Sequence, residues 1–249
     1  MTLLHLILVA VVQGVTEFLP ISSSGHLILL PALTGMNDQG LAIDVAVHVG
    51  TLAAVVLYFR RDVAEAAAGV PRLFTGRADT PGARLALLLL VATLPVIVAG
   101  LALRASGLDE GLRSVAVIGW TTLGFGLLLW VADRFGPAAR EDRDWTMRHA
   151  LVLGVWQAVA LIPGTSRSGI CITGARFLGY TRHGAAKLAM LMSIPTILAS
   201  GGLLTLEVLA EADAALARDG GIAALFAFVA ALAALSLMMR LLRSVSFTP

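Results

Sequence analysis

Two short polar segments interrupt an otherwise apolar chain of 249 residues: Pro20-Ile-Ser-Ser-Ser-Gly25 and Pro163-Gly-Thr-Ser-Arg-Ser-Gly169. Their residue types suit an anion. Arg167 stays protonated, and its planar guanidinium matches phosphate oxygens. Around it, Ser166, Ser168 and Gly169 offer hydroxyls and exposed backbone N–H groups ahead of a short helix, the makings of an anion nest. The first segment offers a second set in Ser22, Ser23, Ser24 and Gly25. Two such loops facing each other fit a phosphate or diphosphate better than a neutral ligand. Glu17 precedes the serines and pairs with Gln13 at i, i+4 on one helical face. A carboxylate there can hold a divalent cation through hard oxygen ligands or act as a base, so Glu17 is the candidate metal ligand. His26 can exchange protons near neutral pH. Ser23 becomes a nucleophile once a neighbouring base, His26 or Glu17, activates it. Arg167 offsets charge developing on a transferring phosphoryl group. These parts suffice to hydrolyse a phosphoanhydride.

Such residues need elements to hold them, and composition says which kind. Only 14% of residues are charged and 58% are hydrophobic, with mean hydropathy +0.88, against about 25% charged in soluble domains. A soluble globular chain and a disordered one are both excluded. The single cysteine, Cys171, rules out an internal disulfide framework or a multi-Cys metal site. The reading is an all-α polytopic membrane helix bundle, one membrane domain over 1–249. A span needs about 20 apolar residues. Leu41–Phe59, Leu85–Leu103, Leu112–Val131, Leu188–Leu206 and Ile222–Met239 qualify, and amphipathic Asp62–Phe74 reads as an interfacial helix. Met1 is not followed by a basic segment and a cleavage site, so no removable signal peptide is expected.

Residues 2–33 and 149–179 are apolar but too broken to be simple spans. The first reads as a helix to about Phe18, the PISSSG break and a short run His26–Leu33. The second reads as a helix Ala150–Ile162, the PGTSRSG break and Ile170–Leu178. Both are expected to be re-entrant helical hairpins, since irregular backbone at membrane depth is tolerated where it lines a cavity. Arg104, Arg113 and Arg218 fall in loops on one side, and Arg167 in the second break. The other fourteen of the 18 Lys and Arg fall in loops on the opposite side. The excess of positive charge marks the cytoplasmic face. The first hairpin then enters from outside and the second from the cytoplasm. The positive charge serves topology, so nucleic acid is not a partner.

Shifting the chain by 144 residues aligns the hairpins without a gap. Gln13 meets Gln157, Val15 meets Val159, Ser22 meets Ser166, Ser24 meets Ser168 and Gly25 meets Gly169. Glu17 falls on Leu161 and Ser23 on Arg167. With opposite entry sides this is an inverted-topology repeat, its halves about 1–131 and 145–249, with broken helices meeting near the midplane. One half supplies a carboxylate and the other a guanidinium. A plainer reading has Glu17 and Arg167 neutralise each other as a buried structural pair. Asp44 and His48, at i, i+4 on a span, are expected to bond each other or a hairpin rather than ligate a metal. Cys171 is expected to pack. The competing functional class is a transporter, since inverted repeats with broken helices also suit alternating access; under the family resemblance given below it would flip a polyprenyl phosphate. A carrier needs anion donors but has no use for a base and nucleophile such as Glu17, Ser23 and His26. The sequence leaves open a homodimer.

At these residues the chain resembles the undecaprenyl-diphosphate phosphatase (bacitracin-resistance) family of bacterial membrane proteins. Gln13-Gly-Val-Thr-Glu17-Phe-Leu-Pro-Ile-Ser-Ser-Ser-Gly-His26 is similar to its first motif, and Pro163-Gly-Thr-Ser-Arg-Ser-Gly169 to its second. Asp44–Gly50 and the span that follows also fit. The resemblance implies hydrolysis of a C55 isoprenyl diphosphate to the monophosphate plus inorganic phosphate, recycling the lipid carrier of cell-wall synthesis. It also implies the bacterial cytoplasmic (inner) membrane, a site open to the periplasm and a divalent cation, Mg2+ or Ca2+. By position it makes Glu17 the essential carboxylate, Gln13 its partner, Ser23 the nucleophile, His26 the proton-transfer histidine and Arg167 the phosphate-binding arginine, with Ser166, Ser168 and Gly169 completing the loop. Cys171 stands where the motif has Thr, with Thr173 as the substitute. Members of that family usually continue into another membrane helix after the Ser-Phe-x-Pro segment, the point at which this sequence stops, at Pro249.

Overall fold

A computed structural model describes residues 1–107, 114–211 and 214–247, apart from the side chains of Ala32 and 203–211. Leu112, Arg113, the Glu207 side chain and the final Pro249 lie outside the described residues.

Ten α-helices run through these residues: α1 Leu3–Thr16, α2 Ser23–Thr34, α3 Gly40–Tyr58, α4 Arg60–Leu73, α5 Pro81–Ser106, α6 Val115–Phe135, α7 Met147–Val159, α8 Arg167–Phe177, α9 Arg182–Glu211 and α10 Ala214–Leu241. Five of them, α3, α5, α6, α9 (over Arg182–Gly202) and α10, are long and apolar enough to cross a membrane. The helix starts are written in Ser and Thr. Thr2, Ser22, Thr80, Ser114, Thr146 and Ser166 each accept a backbone N–H from the first turn that follows, satisfying a donor the helix leaves free.

One expectation is corrected here. The sequence reads both polar segments as breaks between helices, through Gly25 and Gly169. Instead Ser22 and Ser166 are N-caps, and Ser23-Ser-Gly25 and Arg167-Ser-Gly169 are already the first turns of α2 and α8. The hydroxyls that break one helix start the next.

α1–α2 and α7–α8 are two helical hairpins whose tips meet inside the bundle. They start 144 residues apart, at Leu3 and Met147, and their return limbs start at Ser23 and Arg167. α1 packs on α10 while α7 packs on α5. The hairpins come from opposite ends: the Met1 amino group pairs with Asp219 near the start of α10 at 3.0 Å, whereas α7 follows the basic loops. At that basic end Lys187 bridges Asp62 (2.7 Å) and Asp142 (2.9 Å), Arg182 reaches Asp133 at 2.7 Å, and Asp133 accepts the Phe247 N–H. Loops that carry the positive charge in sequence are therefore gathered at one end.

α9 is the central helix, packed on α3, α5 and α8, with an unbroken buried run from Leu188 to Ser193. α10 fits against α1 and α3 because the facing residues are small: a Cβ on Gly50 would lie 2.2 Å from the Ala224 carbonyl oxygen. α6 is the most lipid-exposed span, and Trp120 and Trp130 stand on its surface. Asp133 is 2% exposed and holds both Arg182 and the buried Arg176 (3.5 Å). Asp133→Ala leaves Arg176 without its countercharge, a loss of about 3–5 kcal/mol for a broken buried pair. The expected readout is a clearly lowered unfolding midpoint in detergent; an unchanged midpoint would show that this cluster does not hold the helix ends together.

Candidate active site between the hairpin tips

Glu17 caps the C-terminus of α1 and is 8% exposed. Four side chains converge on its carboxylate. Arg167 donates from Nη2 to Oε1 at 2.5 Å. Ser23 Oγ donates to Oε2 at 2.8 Å, and Gln13 Nε2 to the same oxygen at 2.9 Å. His48, from α3, brings Nε2 to 3.8 Å of Oε2. A carboxylate in a lipid-embedded bundle is tolerable only with such partners.

The two hairpin tips are near copies. Ser22 Oγ lies 3.2 Å from Ser24 Oγ and accepts the Gly25 N–H; Ser166 Oγ lies 3.0 Å from Ser168 Oγ and accepts the Gly169 N–H. Ser168 Oγ also donates to the Leu19 carbonyl at 2.7 Å, tying one tip to the other. The second tip is anchored on α6, where Thr121 and Thr122 donate to the carbonyls of Pro163 and Gly164. Gly164 itself has φ 87° and would place a Cβ 2.2 Å from Thr121 Oγ1, so glycine is required at that turn.

Between the tips lies a cavity of about 190 Å3. Glu17, Ser22, Ser23 and Ser24 line one side, and Thr165, Ser166 and Arg167 the other; His48, Thr196 and Ser200 complete the wall. The N-termini of α2 and α8 both supply residues to it, so the positive ends of two helix dipoles and their free N–H groups bear on one space. Two donors in this wall are buried without a partner: Arg167 Nη1 and Thr165 Oγ1. A purely structural Glu17–Arg167 pair leaves that cost unexplained, because a buried unmade hydrogen bond costs about 1–3 kcal/mol. An anion within hydrogen-bond reach of both atoms would remove it.

The remaining expected residues take different places. His26 is exposed, its Nδ1 is 2.6 Å from the Ser22 carbonyl oxygen, and it is absent from the cavity wall. Asp44 accepts from Gln39 Nε2 at 2.8 Å, and His48 Nδ1 lies 2.7 Å from the Asp44 carbonyl oxygen, so these two do bond locally as expected, while the His48 imidazole also reaches the site. Cys171 is buried with Sγ 3.9 Å from Gln157 Oε1, and Thr173 donates to the Gly169 carbonyl; both lie outside the cavity. Sequence reading passed over Thr165, Thr196 and Ser200. The signal for Thr165 was its place inside the second polar motif, and for Thr196 and Ser200 an i, i+4 polar pair on an apolar span.

Fold and site together define a polytopic membrane helix bundle with a donor-rich, phosphate-sized cavity between two oppositely directed hairpins. The chain belongs to the family described as bacitracin resistance protein BacA, whose model matches residues 6–249. Over its whole length it is 72% identical to a Dinoroseobacter shibae protein named undecaprenyl-diphosphatase and 70% identical to one of that name from Ruegeria pomeroyi, covering 93% of each. A Maricaulis maris protein of the same name is 47% identical over 253 aligned positions, which take in 100% of this chain and 94% of the relative.

Thr165→Val removes the unpartnered hydroxyl while keeping the shape. If that hydroxyl serves a bound phosphate, KM for a diphosphate substrate rises roughly five- to tenfold, the worth of one hydrogen bond of about 1–1.5 kcal/mol. Unchanged steady-state kinetics would take Thr165 out of the site.

Proposed function

We propose that this chain is a multi-pass membrane hydrolase that converts undecaprenyl diphosphate to undecaprenyl phosphate and inorganic phosphate. The observation that carries the reading is the convergence of two orphaned donors, two helix N-termini and a serine–carboxylate pair on one small cavity. The names of its relatives favour hydrolysis over the carrier alternative. So does the Ser23–Glu17 bond, for which a carrier has no use.

In this mechanism Arg167 Nη1, Thr165 and the first-turn N–H groups grip the terminal phosphate. Ser23 Oγ attacks its phosphorus and gives its proton to Glu17 Oε2, the acceptor it already bonds. The P–O bond to the lipid-linked phosphate breaks, and undecaprenyl phosphate leaves. Water then hydrolyses the phosphoserine, releasing inorganic phosphate and restoring the serine. Gln13 keeps the Glu17 carboxylate aimed at Ser23. Arg167 Nη2 holds the other oxygen, and a bound phosphate competes for that guanidinium, which leaves Glu17 a stronger base. His26, carried over by resemblance as the proton-transfer residue, sits at the edge of this arrangement, with its backbone on the serine turn.

A divalent cation, Mg2+ or Ca2+, suits the donors present. Gln13 Oε1 is buried without a partner beside Glu17, and with Ser23 Oγ these are hard oxygens. Among the described residues no group of three or more His, Cys, Asp or Glu forms a metal site. One carboxylate plus substrate phosphates is the kind of coordination Mg2+ accepts. When bound, the cation neutralises phosphate charge; Glu17 and Gln13 would hold it.

The hairpins are read as re-entrant, in the bacterial inner membrane. The basic end belongs in the cytoplasm by charge bias. Along α9 the cavity residue Ser200 lies thirteen residues beyond Lys187, on the order of 20 Å, so the site opens toward the periplasmic side. Every residue named in this mechanism comes from one chain.

Purified protein is expected to release phosphate from farnesyl or undecaprenyl diphosphate with Mg2+ present, and to lose that activity with EDTA. Arg167→Ala and Glu17→Gln should each cost about 100-fold or more in kcat, the scale of losing a transition-state charge partner, in protein whose unfolding midpoint is lowered by the broken pair but stays above the assay temperature. Normal turnover in either variant would defeat the assignment. Ser23→Ala tests the nucleophile: near-complete loss supports serine attack, and robust turnover shows that water attacks directly.

A further inference from the structure

Next to the polar cavity, and sharing His48, Ile197 and Ser200 with it, is a second and larger space of about 460 Å3 between α3 and α9. Its character is the reverse of the first. Val45 and Ile197 form a buried floor, and Leu41, Val49 and Leu198 form an exposed rim toward the surrounding lipid. α3 and α9 run in opposite directions, so Gly201 and Gly202, which also line this space, fall opposite the start of α3, where the absence of side chains keeps it wide.

We infer that this groove is the portal for the substrate's isoprenoid tail: the first isoprene units lie between α3 and α9, with the lipid-linked phosphate at His48 and the terminal phosphate between Ser23 and Arg167. The inference rests on the phosphatase reading and deepens it. Three features single out the groove among the many apolar surfaces of a membrane bundle. It is the roomier of two hollows that border the anion site: the other, against Phe125 and Leu129 of α6, holds only about 120 Å3. It is continuous with the anion site, so one molecule with a charged head and an apolar tail can occupy both. Its residues Leu41, Val45, His48 and Leu52 follow the 3, 4-residue spacing of a single helical face, so one side of α3 serves the lipid along its length while the same His48 touches Glu17. Leu41 to Leu52 spans about 16 Å of helix, against a hydrocarbon layer of about 30 Å. The groove therefore seats only the proximal part of a long tail, and the rest leaves sideways into the bilayer. Chain preference should then rise over the first few isoprene units and level off.

The test combines kinetics with labelling. Wild-type kcat/KM should be at least tenfold higher for farnesyl (C15) than for dimethylallyl (C5) diphosphate. Val49→Trp and Leu198→Trp, both on the exposed rim where added bulk does not disturb the core, should each raise KM for the C15 substrate tenfold or more and shrink its advantage over C5. Leu101→Trp, an equally lipid-exposed position on α5, should not. A farnesyl diphosphate analogue carrying a diazirine on its second isoprene unit should label peptides containing 41–52 and 197–202. Undecaprenyl diphosphate should compete for this labelling, and phosphatidylethanolamine should not. The inference is overturned by equal rates on C5 and C15, by rim variants with wild-type KM for C15, by labelling on α5 or α6, or by displacement with bulk phospholipid. Labelling requires no turnover. A wild-type protein that labels at the groove but releases no phosphate would thus remove the phosphatase reading and leave the tail site standing, while turnover with labelling elsewhere would do the opposite.

Discussion

The contact on which the architecture depends is the one between the Glu17 carboxylate and the Arg167 guanidinium, 150 residues apart in the chain and 2.5 Å apart in space. Either charge alone inside the hydrocarbon region costs several kcal/mol, and breaking a buried pair costs more than making it gains. Both residues stand at the tips of helical hairpins, so the only arrangement that pairs them brings the two tips together within the bundle. Once the tips meet, the rest of the site follows. The serines that cap α2 and α8 come face to face, Ser168 reaches the Leu19 carbonyl, and two helix N-termini are left pointing at one cavity.

The two hairpin tips repeat one pattern without making the site symmetric. The caps are duplicated, Ser22 with Ser24 on one tip and Ser166 with Ser168 on the other, and they make matching hydrogen bonds. The chemistry sits where the halves differ: an acid and a hydroxyl on one tip, a guanidinium on the other. In the proposed function the duplicated donors hold a phosphate and the unmatched residues act on it. The Glu17–Arg167 bond does not exhaust either partner, since Arg167 Nη1 and Gln13 Oε1 remain buried and unpaired. That residue of unmet polarity is what the proposed function answers with a bound phosphate and a cation.

The opposite end of the molecule shows charge in a structural role. The arginines and lysine that bias the loops toward one membrane face also knit those loops together, Lys187 between Asp62 and Asp142, and Arg176 and Arg182 on Asp133. The acids that answer them sit on α4, on α6 and in the turn before α7, so the end that gathers the positive charge is also held together by ion pairs between helices. The two polar regions are separated by the most buried stretch of α9, which keeps the head-group site apart from the basic end.

Much of this was legible beforehand. Runs of about 20 apolar residues locate spans because the bilayer imposes that length, and five of the ten helices follow from it. Serine, arginine and glutamate placed in apolar surroundings mark a site because burial of such groups demands a partner; Glu17, Ser23 and Arg167 did meet. Local sequence was less decisive where a residue has two uses. Ser23 and Arg167 read as loop residues, yet they open helices, because a serine can cap a helix as readily as break one. His48 looked like a partner for its own helix, and it is, but which face of α3 turns toward Glu17 depends on how α3 packs against α10 and α9, a question of backbone approach at glycines such as Gly50. Thr165, Thr196 and Ser200 acquire their role only from neighbours hundreds of bonds away along the chain. The chain's composition and spacing thus determined that it enters a membrane, where it breaks, which end is basic and which side chains cannot remain alone. Only the tertiary structure decided who meets whom, because pairing in a bundle is set by the packing of distant helices, and no local pattern carries that geometry.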